Sequence, residues 1–344
     1  MKAAVLAGPG RIEIRDIPKP EIRDPQDVLL RVVRTGICGS DLHYYVPGYF
    51  EAGDVSYPLV PGHECAGVVE DVGNGVSRLR PGMRAAVDPA VDCGRCDQCR
   101  AGRPHTCRNI GFLGFHGQLG GALAEFIAVP EANVFPLPDG MSLEEGALVE
   151  PLAIGLYAVS LAGETRGKSV GILGAGPIGL CVLLAARAED CGPVFVTEKV
   201  EERLEAAAAA GASWTGNPYV VDIAADIPAR EPAGLDIVFE CCGDQTALDQ
   251  AVSLLKPGGK LLVLGIPPAA RISFDAGRLR RNEISIVHVR RQNGFTGRAV
   301  EAVASGTISP AFLATHQFPL NRTQDAFTLA ASRTDGALKV LILP

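Results

Sequence analysis

The sequence lacks any uninterrupted apolar run approaching the about eighteen residues that a membrane-spanning helix needs. Its opening stretch, MKAAVLAGPGRIEIRD, turns charged too soon for a signal peptide. Membrane insertion and secretion are therefore not expected, and a cytoplasmic location is. No dense cluster of Lys and Arg stands out, and 32 basic residues face 39 acidic ones for a formal charge of −7. Nothing is thus prepared to neutralise phosphates along a polymer, which argues against a nucleic-acid partner. Internal repeats and low-complexity tracts are missing too.

What is present fits a folded chain of two domains. With 344 residues, 47% of them hydrophobic and 21% charged, and a mean hydropathy of +0.18, the composition is that of a compact protein. Ten cysteines in a reducing compartment do not form a disulfide framework, so any that cluster call for metal, catalysis or burial.

Residues 1 to about 150 are rich in Gly and Pro, with short β-type runs such as VLLRVVRTG and CAGVVEDVG between turn signals. From about 151 the texture changes. KSVGILGAGPIGLCVLLAARA reads as strand, glycine turn and helix, and PVFVTEKVEERLEAAAAAGA repeats strand then helix. LDIVFECCG, a helical stretch from Asp244 to Leu255 and the strand KLLVLGI continue the alternation, which predicts an α/β, doubly wound domain over 151–290. Past Arg290 an amphipathic helix, a helical stretch near Gln324–Ser332 and the apolar run ALKVLILP are expected to complete the first domain with residues 291–344.

The most specific local signal is CGRCDQCRAGRPHTC. It places Cys93, Cys96, Cys99 and Cys107 in a C-x2-C-x2-C-x7-C array within a polar loop. Tight turns aim such sulfurs inward, and four thiolates close a tetrahedron with no position left for substrate, so a structural zinc is expected. An iron–sulfur site or four unrelated buried thiols are the alternatives.

Gly174, Gly176 and Gly179 form G-A-G-P-I-G directly after the strand SVGIL and before an apolar helix, with Pro177 and Ile178 opening that helix. In this context the glycines allow a tight turn, an approach of backbone amides to a pyrophosphate and close helix–strand packing. Glu198, ending the next strand, stands where a carboxylate accepts the ribose hydroxyls and repels a 2′-phosphate, which favours NAD over NADP. The neighbouring Lys199 opposes that preference, because it offers a cation to such a phosphate. Arg203 is read either against the adenosine or on an exposed helix face. Leu264, Gly265 and Ile266, together with Val289 and Arg290, are expected to border the cofactor.

Earlier segments hold scattered chemistry. GICGSDLHYY offers Cys38, Ser40, His43 and Tyr44, and VPGHECAGVV offers His63 and Glu64. Each alone reads equally as turn or core. Glu150, in the apolar context ALVEPLAIG, is harder to explain without a cation or hydrogen bonds.

Taken in order, GICGSDLH, PGHE, the cysteine quartet, LPDGMSLEEGALVEPLAIG, GAGPIG and the closing LKVLI resemble the zinc-containing medium-chain dehydrogenases over essentially the full chain. Within them the sequence resembles the sorbitol or polyol dehydrogenase branch. The resemblance implies a GroES-like β-rich catalytic domain, a Rossmann domain, a homotetramer, and NAD with one catalytic and one structural zinc per chain. It implies that Cys38 and His63 bind the catalytic zinc, with Glu64 and Glu150 completing the site directly or through water. It further implies that a substrate hydroxyl becomes an alkoxide, that hydride passes to the nicotinamide, and that Ser40 and His43 carry the proton toward solvent, His43 with a near-neutral pKa. Ordinary alcohol dehydrogenases of the family typically carry Cys where this chain has Glu150, so a polyol substrate is expected. At the substrate end Tyr44 and Arg291 match the polyol branch, while Gln292 stands where a tyrosine is usual. With Arg290 adjacent, VHVRRQN is compatible either with a substrate bearing an acidic or extra polar group or with pairing of these arginines to local carboxylates. Diol or amino-alcohol oxidation, or a sensor that binds NAD and zinc without turnover, are the rival readings. His105, His116, His288 and His316, and Cys65, Cys181, Cys191, Cys241 and Cys242, are read as structural.

Overall fold

The computed structural model describes residues 1–47 and 55–344. The chain divides into two compact units, one of Met1–Glu150 with Thr296–Pro344, the other of Pro151–Phe295. The chain returns to the first unit at Thr296 rather than at 291. The reason is local: Gln292 accepts the Phe295 N–H (2.6 Å) and the Phe295 ring packs 5.5 Å from Tyr157, which keeps the turn in the second unit.

The first unit is built on a seven-stranded sheet. Its strands Asp27–Gly36, Glu64–Val72 and Lys339–Leu343 matter most for function. Asp27–Gly36 pairs antiparallel with both of the others, Gly36 facing Glu64 on one side and Leu341 on the other. Alternation along Asp27–Gly36 buries Val28, Leu30 and Val32 with Cys65, Val69 and Val87 in one core. A second core gathers Ala4, Leu6, Ile37, Tyr44, Tyr45 and Phe327. The C-terminal apolar run therefore supplies a strand rather than a tail.

The second unit is a six-stranded, all-parallel sheet in which Val170–Leu173 lies between Val194–Thr197 and Leu235–Glu240. Helices such as Pro177–Ala188 and Gln245–Leu254 connect its strands, as parallel pairing requires. Its strands are continuous buried runs: all four residues of Val170–Leu173 are buried. Ser285–His288 forms one edge of the sheet, pairing with Leu255–Val263.

The helix Leu143–Ala162 carries the chain from one unit to the other, and Pro151 falls inside it. It is long and apolar enough to cross a membrane by length and composition alone, but 67% of the relevant stretch is buried within the protein.

Candidate active site

The quartet assembles as its spacing predicts. Cys96 Sγ lies 3.5 Å from Cys99 Sγ and 3.9 Å from Cys107 Sγ. A regular tetrahedron with metal–sulfur bonds of about 2.3 Å has edges of about 3.8 Å, so the sulfurs are already spaced to hold one zinc ion. Backbone N–H groups of Cys93 (3.4 Å) and Asn109 (3.3 Å) point at Cys107 Sγ. Backbone hydrogen bonds, led by the Arg95 amide, pull the Cys93 thiol down to about 6. The lobe is tied by Asp97 to Arg108, whose Nη2 donates at 2.8 Å.

A second cluster forms in the same unit. Single ligand atoms of Cys38, His63 and Glu64 lie within 4.8 Å of one another. Cys38 caps the helix Gly39–Tyr45, and His63 directly precedes the strand Glu64–Val72. Asp41, which the sequence reading passed over, links the two. This fully buried carboxylate accepts the amides of Cys38 (3.0 Å) and Gly62 (3.1 Å) and lies 3.6 Å from His63 Nδ1. With Nδ1 turned to a carboxylate, Nε2 is the nitrogen left for a metal. The available signal was an acidic residue three positions after Cys38 in a helix-opening turn.

Electrostatics favour a cation here. Burial opposes a charged His63, yet Asp41 and Cys38 outweigh it and hold the imidazole well above its usual range. Glu150 is buried, and its Oε2 has no hydrogen-bond partner. Burial raises its carboxyl to about 8, with His63 opposing and Glu64 adding to the rise. A divalent ion bound by these residues would satisfy Glu150 and replace the proton on His63, so zinc fits the donor set.

Glu64 is differently placed from Glu150. Lys339 Nζ donates to Glu64 Oε1 at 2.7 Å and to the Ile37 carbonyl at 3.1 Å, and both side chains are buried. The pair meets across Gly36, where a Cβ would collide with the Glu64 carboxylate.

Ser40 and His43 lie three apart on the helix Gly39–Tyr45, hence on one face. Burial lowers the His43 imidazole to about 4, with Asp41 opposing and Arg333 adding to the drop. The expectation of a near-neutral value is thus corrected. The Tyr44 ring meets Phe115 (6.1 Å) and His116 (5.7 Å) edge-on, so His116 belongs to the surroundings of a residue expected to meet substrate.

In the second unit the glycine turn has the predicted anatomy. Gly174 sits at φ +102°, and a Cβ on Gly179 would collide with the Gly174 carbonyl. Gly176 caps the helix Pro177–Ala188, whose first residues Pro177 and Ile178 present its N-terminus. Glu198 Oε2 accepts the Ala175 amide of the turn at 2.9 Å, and its Oε1 accepts Lys199 N at 2.7 Å. Arg203 is buried beside Gly176, which removes the exposed-face alternative. Leu264 and Gly265 donate their amides to the Glu240 carbonyl at 2.8 and 3.0 Å, Ile266 is exposed, and Val289 N bonds Val263 O at 2.9 Å. Arg290 is exposed, and Arg291 adopts φ +52°. Gln292 is buried, with its amide oxygen committed to Phe295 N. Cys242, read from the sequence as structural, is exposed in the turn after Leu235–Glu240 and donates its thiol to Glu240 at 3.0 Å.

Residues 24–139 match the family of alcohol dehydrogenase GroES-like domains, and residues 177–305 match the zinc-binding dehydrogenase family. A sorbitol dehydrogenase of Bacillus subtilis is 36% identical over 100% of this chain and 97% of its own length. A zinc-binding dehydrogenase of Sinorhizobium meliloti bound to NADP superposes with a TM-score of 0.91 at 32% identity, covering 100% of this chain and 99% of that one. Galactitol-1-phosphate dehydrogenase of Escherichia coli superposes with a TM-score of 0.91 at 29% identity, covering 100% of both chains. The chain therefore belongs to the zinc-dependent medium-chain dehydrogenases, an α/β class of oxidoreductases joining a GroES-like domain to a Rossmann domain, with zinc and a nicotinamide dinucleotide as cofactors. Within that class it is a member of the polyol branch.

Proposed function

We propose that this protein oxidises a secondary alcohol of a polyol, of the sorbitol, xylitol or galactitol kind, reversibly to a ketose with NAD as acceptor. The observation that carries the reading is the buried, unpartnered carboxylate of Glu150 in the unit that also gathers Cys38 and His63. When bound, zinc supplies Lewis acidity toward the alcohol and the nicotinamide accepts hydride. Cys38 and His63 would hold the metal together with Glu64 and Glu150, directly or through water; Asp41 orients His63, and Lys339 engages Glu64. Ser40 and His43 would move the proton along one helix face. Because His43 titrates at about 4, its imidazole is neutral and able to accept at ordinary pH.

Tyr44, Arg291 and Gln292 are the proposed substrate-side residues, Gln292 as a holder of the turn after Arg291. The consecutive Arg290 and Arg291 favour a second reading, a polyol carrying phosphate or carboxylate. Glu198, Arg203, Leu264, Gly265, Ile266, Val289 and Arg290 are assigned to the dinucleotide, with NAD preferred.

A cytoplasmic homotetramer is part of the proposal. It is supported by the edge position of the strand Ser285–His288, where a strand of another chain could add to the sheet. NADH formation at 340 nm with sorbitol, xylitol, galactitol, galactitol 1-phosphate, butanediol and threonine, before and after chelation, tests the reading alongside elemental analysis. Chelator-sensitive oxidation of a polyol and about two zinc ions per chain are expected. Turnover of none of these alcohols, or a single zinc confined to the quartet, would defeat it.

A further inference from the structure

The residue after Glu198 is a lysine, and a lysine at that corner could serve a 2′-phosphate. The structure shows where its charge goes. Lys199 Nζ is 3.2 Å from Asp244 Oδ2 and stands over the Tyr219 ring, 5.3 Å from its centre. Its backbone is fixed as well: Lys199 N donates to Glu198 Oε1 at 2.7 Å, and Lys199 O accepts from Asn217 Nδ2 at 3.1 Å. Asp244 in turn caps the helix Gln245–Leu254, its Oδ1 accepting Thr246 N at 2.8 Å. It sits on the turn that begins at Cys241 and Cys242, the residues closest to a Cβ placed on Gly174. Glu198 reaches the glycine turn itself through Ala175 N at 2.9 Å. Two carboxylates and one engaged ammonium thus surround the corner where the Rossmann arrangement puts the adenosine ribose.

We infer that Asp244 is a specificity-determining residue for the dinucleotide: by engaging Lys199 it denies a 2′-phosphate its cation. The inference rests on the assignment of the glycine turn and Glu198 to a nicotinamide dinucleotide. Exposed ion pairs of this kind contribute modestly, so the effect is a graded preference rather than an absolute barrier.

Asn caps helices as well as Asp does, so Asp244→Asn removes the charge while keeping the Thr246 contact. Dissociation constants of NADH, NADPH and adenosine 2′,5′-bisphosphate would be measured by fluorescence or calorimetry on the zinc-loaded enzyme, for wild type, Asp244→Asn, Lys199→Met and the double variant. In Asp244→Asn, affinity for NADPH relative to NADH is expected to rise about five-fold, with a matching gain for the bisphosphate and a steeper salt dependence. The gain should shrink by more than half when Lys199 is also Met. An unchanged NADPH to NADH ratio in Asp244→Asn, or a gain of the same size without Lys199, overturns the inference. Failure of all four proteins to bind any dinucleotide would instead overturn the cofactor assignment beneath it. Thermal unfolding of each variant separates these outcomes from a damaged fold.

Discussion

Lys339 and Glu64, 275 residues apart in sequence, form a buried ion pair 2.7 Å long across the side-chain-free position of Gly36. The sheet order explains the meeting: the strand ending in Gly36 lies between the strand that opens at Glu64 and the one that opens at Lys339. The pair sets the two acidic residues of the metal region apart. Oε2 of both carboxylates lacks a hydrogen-bond partner, but Glu64 has the Lys339 ammonium as a fixed cationic neighbour.

Lys339→Met is expected to cost about 3–5 kcal/mol of stability, because it strands a buried carboxylate. Glu64→Gln in the same chain should recover most of the loss, since the uncompensated charge is then gone. Urea unfolding of the four zinc-loaded proteins measures the cycle. A loss under about 1 kcal/mol in Lys339→Met would mean that Glu64 finds other compensation.

Zinc binding should release a proton from Glu150. In the metal-free protein the carboxyl is raised to about 8 by burial, so at pH 7 it is mostly protonated, and a metal requires it ionised. Calorimetric zinc titration in buffers of differing ionisation enthalpy should show about one proton fewer released by Glu150→Gln than by wild type. The sign for stability follows from a raised folded-state value. The Glu150 contribution to the metal-free protein is fully present below its unfolded value of about 4.5, and declines as pH rises toward and through about 8. Glu150→Gln should therefore gain on wild type in stability as pH increases over that window. Equal proton release by the two proteins would remove Glu150 from the metal.

His43→Gln should lower kcat about ten-fold or more across the neutral range without moving the acid limb of the pH profile. With its pKa lowered to about 4, His43 is already neutral throughout that range, so it cannot generate a limb near its ordinary value of 6.5. In stability, the His43 contribution is present above about 6.5 and lost as pH falls through about 4, because the unfolded chain takes up the proton first. An acid limb that shifts in His43→Gln would show that the imidazole titrates near neutrality after all.

Much of the architecture was legible because its signals are local. The alternation from 151 onward predicted the parallel sheet, and the helix expected from Asp244 to Leu255 appears as Gln245–Leu254 with Asp244 as its cap. The chain passes back to the first unit at Thr296, after a turn from Gln292 to Phe295 in which Gly294 takes φ +75° and the Phe295 ring packs on Tyr157. Asp41 went unread because a buried carboxylate and a surface one look alike in a row of letters. Lys339 was hidden in an apolar run whose burial is almost complete.

By itself the sequence determined what short spans of backbone can specify: four sulfurs within fifteen positions of one another, and a glycine turn in which Gly174 takes a φ that only glycine adopts without strain and Gly179 leaves no room for a Cβ. The tertiary structure alone decided which acid faces which base. Lys339 with Glu64, Asp41 with His63, and Asp244 with Lys199 are contacts set by strand order and by the joining of loops. Burial then fixes their protonation, because the cost of a charge depends on how much water its neighbours leave around it.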